Sequence, residues 1–227
     1  MHIIEVKEFN FLEISKSPNI IISLKGKKNF SEESAEAKAK FMDKYFGVKS
    51  FQEFNQVHGT NIFGIDNASN NEFDGYLTKE SKIAFAIKTA DCIPLILWDD
   101  KTKNLCGLHC GWKGLKNGII PKTIERNPHQ HFTHAYIGPH ICTDHFEVQS
   151  DFIDAFALAE QDISHFLEES NSKIYMNLRQ LVIHQLHQYG VEINNNFSPC
   201  SYAEKDHFFS WRRDNANPHR NLTIAWF

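Results

Sequence analysis

The sequence predicts a mixed α and β domain, and three observations carry that prediction. Short runs of β-branched and aromatic residues recur along the chain with turn residues between them. Three segments show the three-to-four spacing of amphipathic helices, and no stretch has the composition of a linker, a repeat or a low-complexity tract. The length of 227 residues suits one domain, taken as 1–227, because single cores grow to about 250 residues before they split.

The elements read in order as follows. "FNFLEI" (9–14) alternates apolar and polar residues and "NIIISL" (19–24) is a β-branched run, so both predict strands. "SEESAEAKAKFMDKYFG" (31–47) predicts a helix. It is capped by Ser31, carries Glu32 and Glu33 in its first turn, buries Phe41, Met42, Tyr45 and Phe46, and stops at Gly47. "NIFGI", "KIAFAI", "IPLILW" and "NLCGLH" predict short strands, and the turn "DDKTKN" (99–104) makes the last two a hairpin. "SDFIDAFALAEQDISHFL" (150–167) and "NLRQLVIHQLHQYG" (177–190) predict amphipathic helices. The second has Asn177 as cap, Leu178, Leu181, Val182 and Leu186 inward, and Gly190 at its end. "RNLTIAWF" (220–227) predicts a closing strand.

Composition narrows the function classes. A net charge of −4, with basic residues interspersed among acidic ones, makes nucleic acid an unexpected partner. No run reaches the roughly 18 apolar residues of a membrane span, and "MHIIEVKEFNF" lacks the pattern of a signal peptide, so the expected location is the cytoplasm. Five cysteines, at 92, 106, 110, 142 and 200, read as thiols rather than a disulfide framework, which leaves them redox, nucleophilic or metal-binding chemistry. The histidine-rich "NPHQHFTH" (127–134) reads as a loop.

Two strand ends concentrate chemistry. In "KTADCIPLILW" Asp91 and Cys92 precede the apolar run, and in "LCGLHCGWKG" His109 follows one. Antiparallel pairing through the 99–104 turn places Cys92 and His109 at the same edge of a sheet, about 5 Å apart. His58, in "NQVHGTNIF", stands at a third loop–strand junction. Three such groups scattered along the chain suit a catalytic zinc site, which needs three protein ligands and one open position, or else a buried cysteine beside two hydrogen-bonded histidines.

The phrases "NQVHGT" (55–60), "DGYLT" (74–78), "KTADCIPLIL" (88–97), "GLHCGWKGLKNGII" (107–120), "AYIGPHI" (135–141), "FEV" (146–148) and "FFSWRRD" (208–214) resemble, in order, those of the YfiH-like, laccase-domain family of multicopper polyphenol oxidase-like proteins. The resemblance implies an α+β fold of mixed sheets flanked by helices, with zinc held in a surface cleft by His58, Cys92 and His109. It implies phosphorolysis of adenosine, inosine, guanosine and methylthioadenosine, together with deamination of adenosine. The partners implied are purine nucleosides and phosphate, and the chain reads as monomer or homodimer. Other activities linked to the family are copper-dependent oxidation of phenols and editing of peptidoglycan precursors.

Roles follow for further residues. Asp74 and Asp91 read as acids or bases behind the ligands, or as turn residues. Arg212, Arg213, Arg220 and Lys113 are the candidates for phosphate; if 212 and 213 lie on a strand, only one of them enters the cleft and the other pairs with a carboxylate. Trp112 and Phe209 are candidate surfaces for a purine. The chain departs from the family pattern at Cys110, Lys113, His140 and Trp211, and the family's early Arg-Gly-Gly segment is missing, so that Lys25, Lys27 or Lys28 would have to replace its arginine. Alternatives are an amidase or cysteine hydrolase with Cys92 as nucleophile and His109 as base, a copper phenol oxidase, and a non-catalytic partner module.

Overall fold

The computed structural model describes residues 2–195, 198–215 and 217–227. The fold is α+β, built on two six-stranded mixed sheets packed face to face. The first sheet runs His2–Val6, Phe9–Lys16, Asn19–Ser23, Asn221–Trp226, Ile83–Thr89 and Ser50–Gln52. The second runs Glu192–Ile193, His134–Ile137, Ile93–Trp98, Leu105–Cys110, Gly75–Thr78 and Ile62–Phe63. A three-stranded sheet of Glu147–Val148, Lys173–Met176 and Leu167–Ser170 completes the strands among the described residues.

Strand alternation builds the layers. Ile20, Ile22, Phe85 and Ile87 of the first sheet face Tyr76, Ile96, Trp98 and Tyr136 of the second. Their alternates point outward. Phe11, Ile21, Ala84 and Ile224 meet the helix Ala35–Phe46, while Leu95, Leu97, Cys106 and Leu108 meet Ile119–Glu125, Ser150–Ala157 and Leu178–His187. Between the sheets Tyr76 stacks on Phe85 with centroids 4.4 Å apart, and Gly107 gives the ring room, since a Cβ there would lie 2.2 Å from it.

Several expectations need correction. The first long helix is capped by Ser34, whose hydroxyl accepts from the Ala37 N–H, and Ser31 lies in a separate 3-10 turn, Phe30–Glu32. Of its predicted inward residues Met42 is fully buried, whereas Phe41, Tyr45 and Phe46 are half-buried; Gly47 ends it in the left-handed region. The helix expected over 150–167 stops at Ala157. Leu158 is 87% exposed, Glu160 turns left-handed, and the Gln161 N–H returns to the Phe156 carbonyl, so an apolar pattern that runs on in sequence stops being a buried face. The stretch that follows forms a 3-10 turn and a hairpin instead. Residues 211–214 form a short helix capped by the Ser210 hydroxyl, not a strand. His134 opens a strand rather than belonging to a loop. Among the described residues no helix is long and apolar enough to cross a membrane.

Candidate active site

The hairpin Ile93–Trp98 and Leu105–Cys110 pairs antiparallel with Pro94 opposite His109 and Ile93 opposite Cys110, so Cys92 and His109 emerge at one edge of the second sheet. The loop 55–61 crosses that edge and brings His58 to them. The ligand atoms of His58, Cys92 and His109 all lie within 4.8 Å of one another, and the Cys92 Sγ is 3.8 Å from the His58 Nε2. His109 is buried, Cys92 half-buried and His58 exposed, which makes a site with a rigid floor and an open side.

Asp74 holds two of the three in place. Its side chain, fully buried, accepts from His109 Nδ1 at 2.7 Å and from the backbone N–H groups of Val57, His58 and Gly59 at 3.2, 2.9 and 2.6 Å. The bond at Nδ1 leaves the His109 Nε2 to face Cys92 and His58, an arrangement suited to a metal-binding histidine. The three N–H bonds fix a loop in which His58 has φ +61°, a left-handed conformation that a non-glycine residue keeps only when its surroundings impose it.

The side chains polarise one another. Burial opposes ionisation of Cys92, but the charge and hydrogen bond of His109, with a further bond from His58, outweigh it and bring the thiol down to about 6. Burial likewise opposes a charge on His109, and the Cys92 sulfur and the Asp74 carboxylate outweigh it, raising the imidazole to about 9. For Asp74 itself burial acts upward, and His109 and the backbone donors hold it below the ordinary carboxylate range. Cys106 and Cys110, deep in the apolar core, are raised by burial and stand apart from these ligands. His140 is buried, bonds the Gly138 carbonyl through Nδ1, and is pushed down to about 4 by burial.

Gly111 completes the metal-type cluster. A Cβ at this position would sit 2.7 Å from the His58 Cδ2 and 3.1 Å from the Cys92 Sγ. Because its backbone lies in an ordinary extended region, Gly111→Ala strains the ligands rather than the chain. The expected result is a loss of metal affinity on the order of ten-fold in competition with a chromophoric chelator, with little change in Tm.

A cleft of about 890 Å³ opens over the cluster. Trp112, Lys113, Arg212 and Arg220 line it, as do Trp211 and Lys88, which sequence reasoning did not select. Lys88 is the penultimate residue of the apolar strand Ile83–Thr89, so its cation is hidden in the pattern of "KIAFAIKT"; burial lowers its pKa, with Glu53 acting against that. Arg212 donates to the carbonyls of His145 and Glu147 beneath the Phe146 ring, and Arg220 lies over Trp211 at 5.3 Å. Arg213 turns away: it pairs with Asp214 and donates to the carbonyls of Ser201, Tyr202 and Phe208. Phe209 is buried under Lys25 and His219, outside the cleft lining. None of Lys25, Lys27 and Lys28 lines it either; Lys25 pairs with Asp214 and Lys28 with Glu8.

Asp91 lies at the cleft with φ +89°. Its carboxylate accepts from the hydroxyls of Ser201 and Ser210 and from the Arg212 N–H, and its carbonyl from the Ile141 N–H. It thereby ties the ligand turn to both walls of the cleft.

The sequence model described as multi-copper polyphenol oxidoreductase laccase matches residues 18–227. The chain belongs to that family. Within this laccase-like, YfiH family, a purine nucleoside phosphorylase of Campylobacter jejuni is 26% identical over 90% of this chain and 91% of its own length. A protein of an unknown prokaryotic organism named adenosine deaminase is 30% identical over 66% of this chain and 60% of its own. A Neisseria meningitidis crystal structure superposes with a TM-score of 0.76 at 25% identity, covering 97% of this chain and 99% of the other. The family fold is therefore that of this chain.

Proposed function

We propose that this domain is a zinc enzyme that acts on purine nucleosides, by phosphorolysis and by deamination of adenosine. The observation that carries the reading is the convergence of His58, Cys92 and His109, oriented by Asp74, at the floor of a cleft walled by cations and indoles. Two imidazoles and one thiolate at mutual distances below 4.8 Å suit zinc in a three-ligand catalytic site. Such an ion, when bound, supplies Lewis acidity at its open fourth position. The names of the relatives, purine nucleoside phosphorylase and adenosine deaminase, support the substrate class.

The chain's own residues divide the remaining work. Lys113, Arg212, Arg220 and Lys88 give the cleft the positive charge that phosphate requires, while Trp211 and Trp112 offer faces to a purine. In phosphorolysis a phosphate oxygen bonds to the ribose carbon as the carbon–nitrogen bond breaks, and the departing base takes a proton. In deamination water adds at the amino-bearing carbon and ammonia leaves. Asp74 keeps His109 aligned throughout, and Asp91 holds the Arg212 wall against the ligand turn. With one three-donor cluster in the cleft among the described residues, copper-dependent phenol oxidation ranks below this reading.

A cysteine hydrolase or amidase, including one that edits peptidoglycan precursors, is the second reading. It is favoured by the direct approach of the Cys92 thiol to imidazoles, which is also the geometry of an activated nucleophile.

The test is chromatography of products after metal-quantified protein is incubated with adenosine, with and without phosphate. Adenine formed only with phosphate, and inosine formed in either case, are the expected results. Neither product from metal-replete protein would overturn the purine reading.

A further inference from the structure

A second group of metal-type ligands lies outside the cleft. The ligand atoms of Cys142, His145 and Cys200 all lie within 4.8 Å of one another. Cys142 caps the 3-10 turn Thr143–His145, so a Cys-x-x-His spacing puts its sulfur 3.1 Å from the His145 Nδ1. Cys200 arrives from a distant segment joined to this one by an isolated bridge between His140 and Cys200. Its sulfur lies 3.6 Å from the same nitrogen and accepts the Cys142 backbone N–H at 3.3 Å.

These distances have a simple reading. Tetrahedral zinc, with Zn–S of about 2.3 Å and Zn–N of about 2.0 Å, sets its sulfur and nitrogen ligands about 3.5 Å apart. The two sulfur–nitrogen separations of 3.1 and 3.6 Å bracket that edge. The imidazole is held in orientation by Tyr202, stacked on it at 4.4 Å with 24° between the planes. Cys106 and Cys110 provide the contrast, since they sit among aliphatic side chains in the core and, among the described residues, belong to no such group of ligands.

We propose that Cys142, His145 and Cys200 form a second zinc site, with solvent as the fourth ligand on its half-buried face. The ion braces the cleft wall. Ile141 and Phe146, on either side of the ligand turn, line the cleft, and the carbonyls of His145 and Glu147 hold the Arg212 guanidinium. The assignment is independent of what the cleft catalyses and of whether Cys92 binds metal.

Metal counting in a background without the first site tests it. Full-length Cys92→Ala, purified with reductant and no added metal, is expected to keep about one zinc per chain, and Cys92→Ala/Cys200→Ser and Cys92→Ala/Cys142→Ser to keep almost none. Cobalt loaded into Cys92→Ala should show a thiolate charge-transfer band. A measurement on the wild type covers the case in which the double variants misfold. Cys142 and Cys200 should resist alkylation in the folded protein and become reactive when a strong chelator is added. The proposal is overturned if Cys92→Ala binds no zinc or cobalt, if both thiols alkylate at the same rate with and without chelator, or if they are recovered as a mutual disulfide.

Discussion

His109→Ala is expected to carry one metal ion fewer per chain than the wild type and to turn over adenosine at least about a thousandfold more slowly, the scale set by losing several kcal/mol of Lewis-acid stabilisation. His109 is the most buried of the three cleft residues, and its Nδ1 shares Asp74 Oδ1 with the His58 backbone N–H. The substitution also takes one donor from a buried carboxylate that keeps its three backbone N–H bonds, at a cost of about 1–3 kcal/mol, so Tm should fall together with metal content. Elemental analysis, a product assay and thermal unfolding on the same preparation check all three. Retention of full metal by the folded variant would show that the ligand set is wrong.

The second large effect belongs to Asp74. Asp74→Ala removes the acceptor for three consecutive backbone N–H groups and for His109 at once. The buried His109 donor left without a partner costs about 1–3 kcal/mol and the part-buried loop N–H groups, which water can reach, cost less each, so the expected loss is about 3 kcal/mol, read as a lower denaturation midpoint. The loop that presents His58 then loses what keeps it left-handed. Asp74→Asn preserves the shape but weakens the orientation of His109, and a 10–100-fold loss of metal affinity is expected from it. Because Asp74 and His109 act through one bond, the double substitution to alanine should cost less than the sum of the two singles.

The legible part of this protein lay in local pattern. The hairpin was readable because "IPLILW" and "NLCGLH" flank a polar turn, and hairpin register alone brings Cys92 and His109 to one edge. The sheets' alternation, with Ile20 and Ile22 to one face and Ile21 to the other, is likewise written in the residues. Features that depend on distant segments were less accessible. An Asp before Gly at position 74 reads equally as a turn, and only the fold shows its carboxylate reaching four donors. Lys88 looks like the polar end of a strand until the cleft forms beside it. Cys142 and His145 share one turn, but Cys200 lies 58 residues beyond Cys142, and no periodicity connects them. The helix expected past Ala157 shows the opposite failure, in which local pattern persists where tertiary contacts do not.

Arg212 and Arg213 illustrate why adjacent identical residues diverge. On the short helix Trp211–Asp214 the first extends over Phe146 along the cleft, while the second is consumed by Asp214 and three carbonyls. The cation supply of the cleft therefore rests on Lys88, Lys113, Arg212 and Arg220, drawn from segments far apart in sequence.

The most direct test of the account is Cys92→Ser, with metal and adenosine turnover measured on the same sample. Cys92 as a ligand predicts that the cleft metal and the activity are lost together, leaving one ion per chain fewer than in the wild type. A folded variant that keeps its full metal while losing turnover would contradict the account and identify Cys92 as a nucleophile.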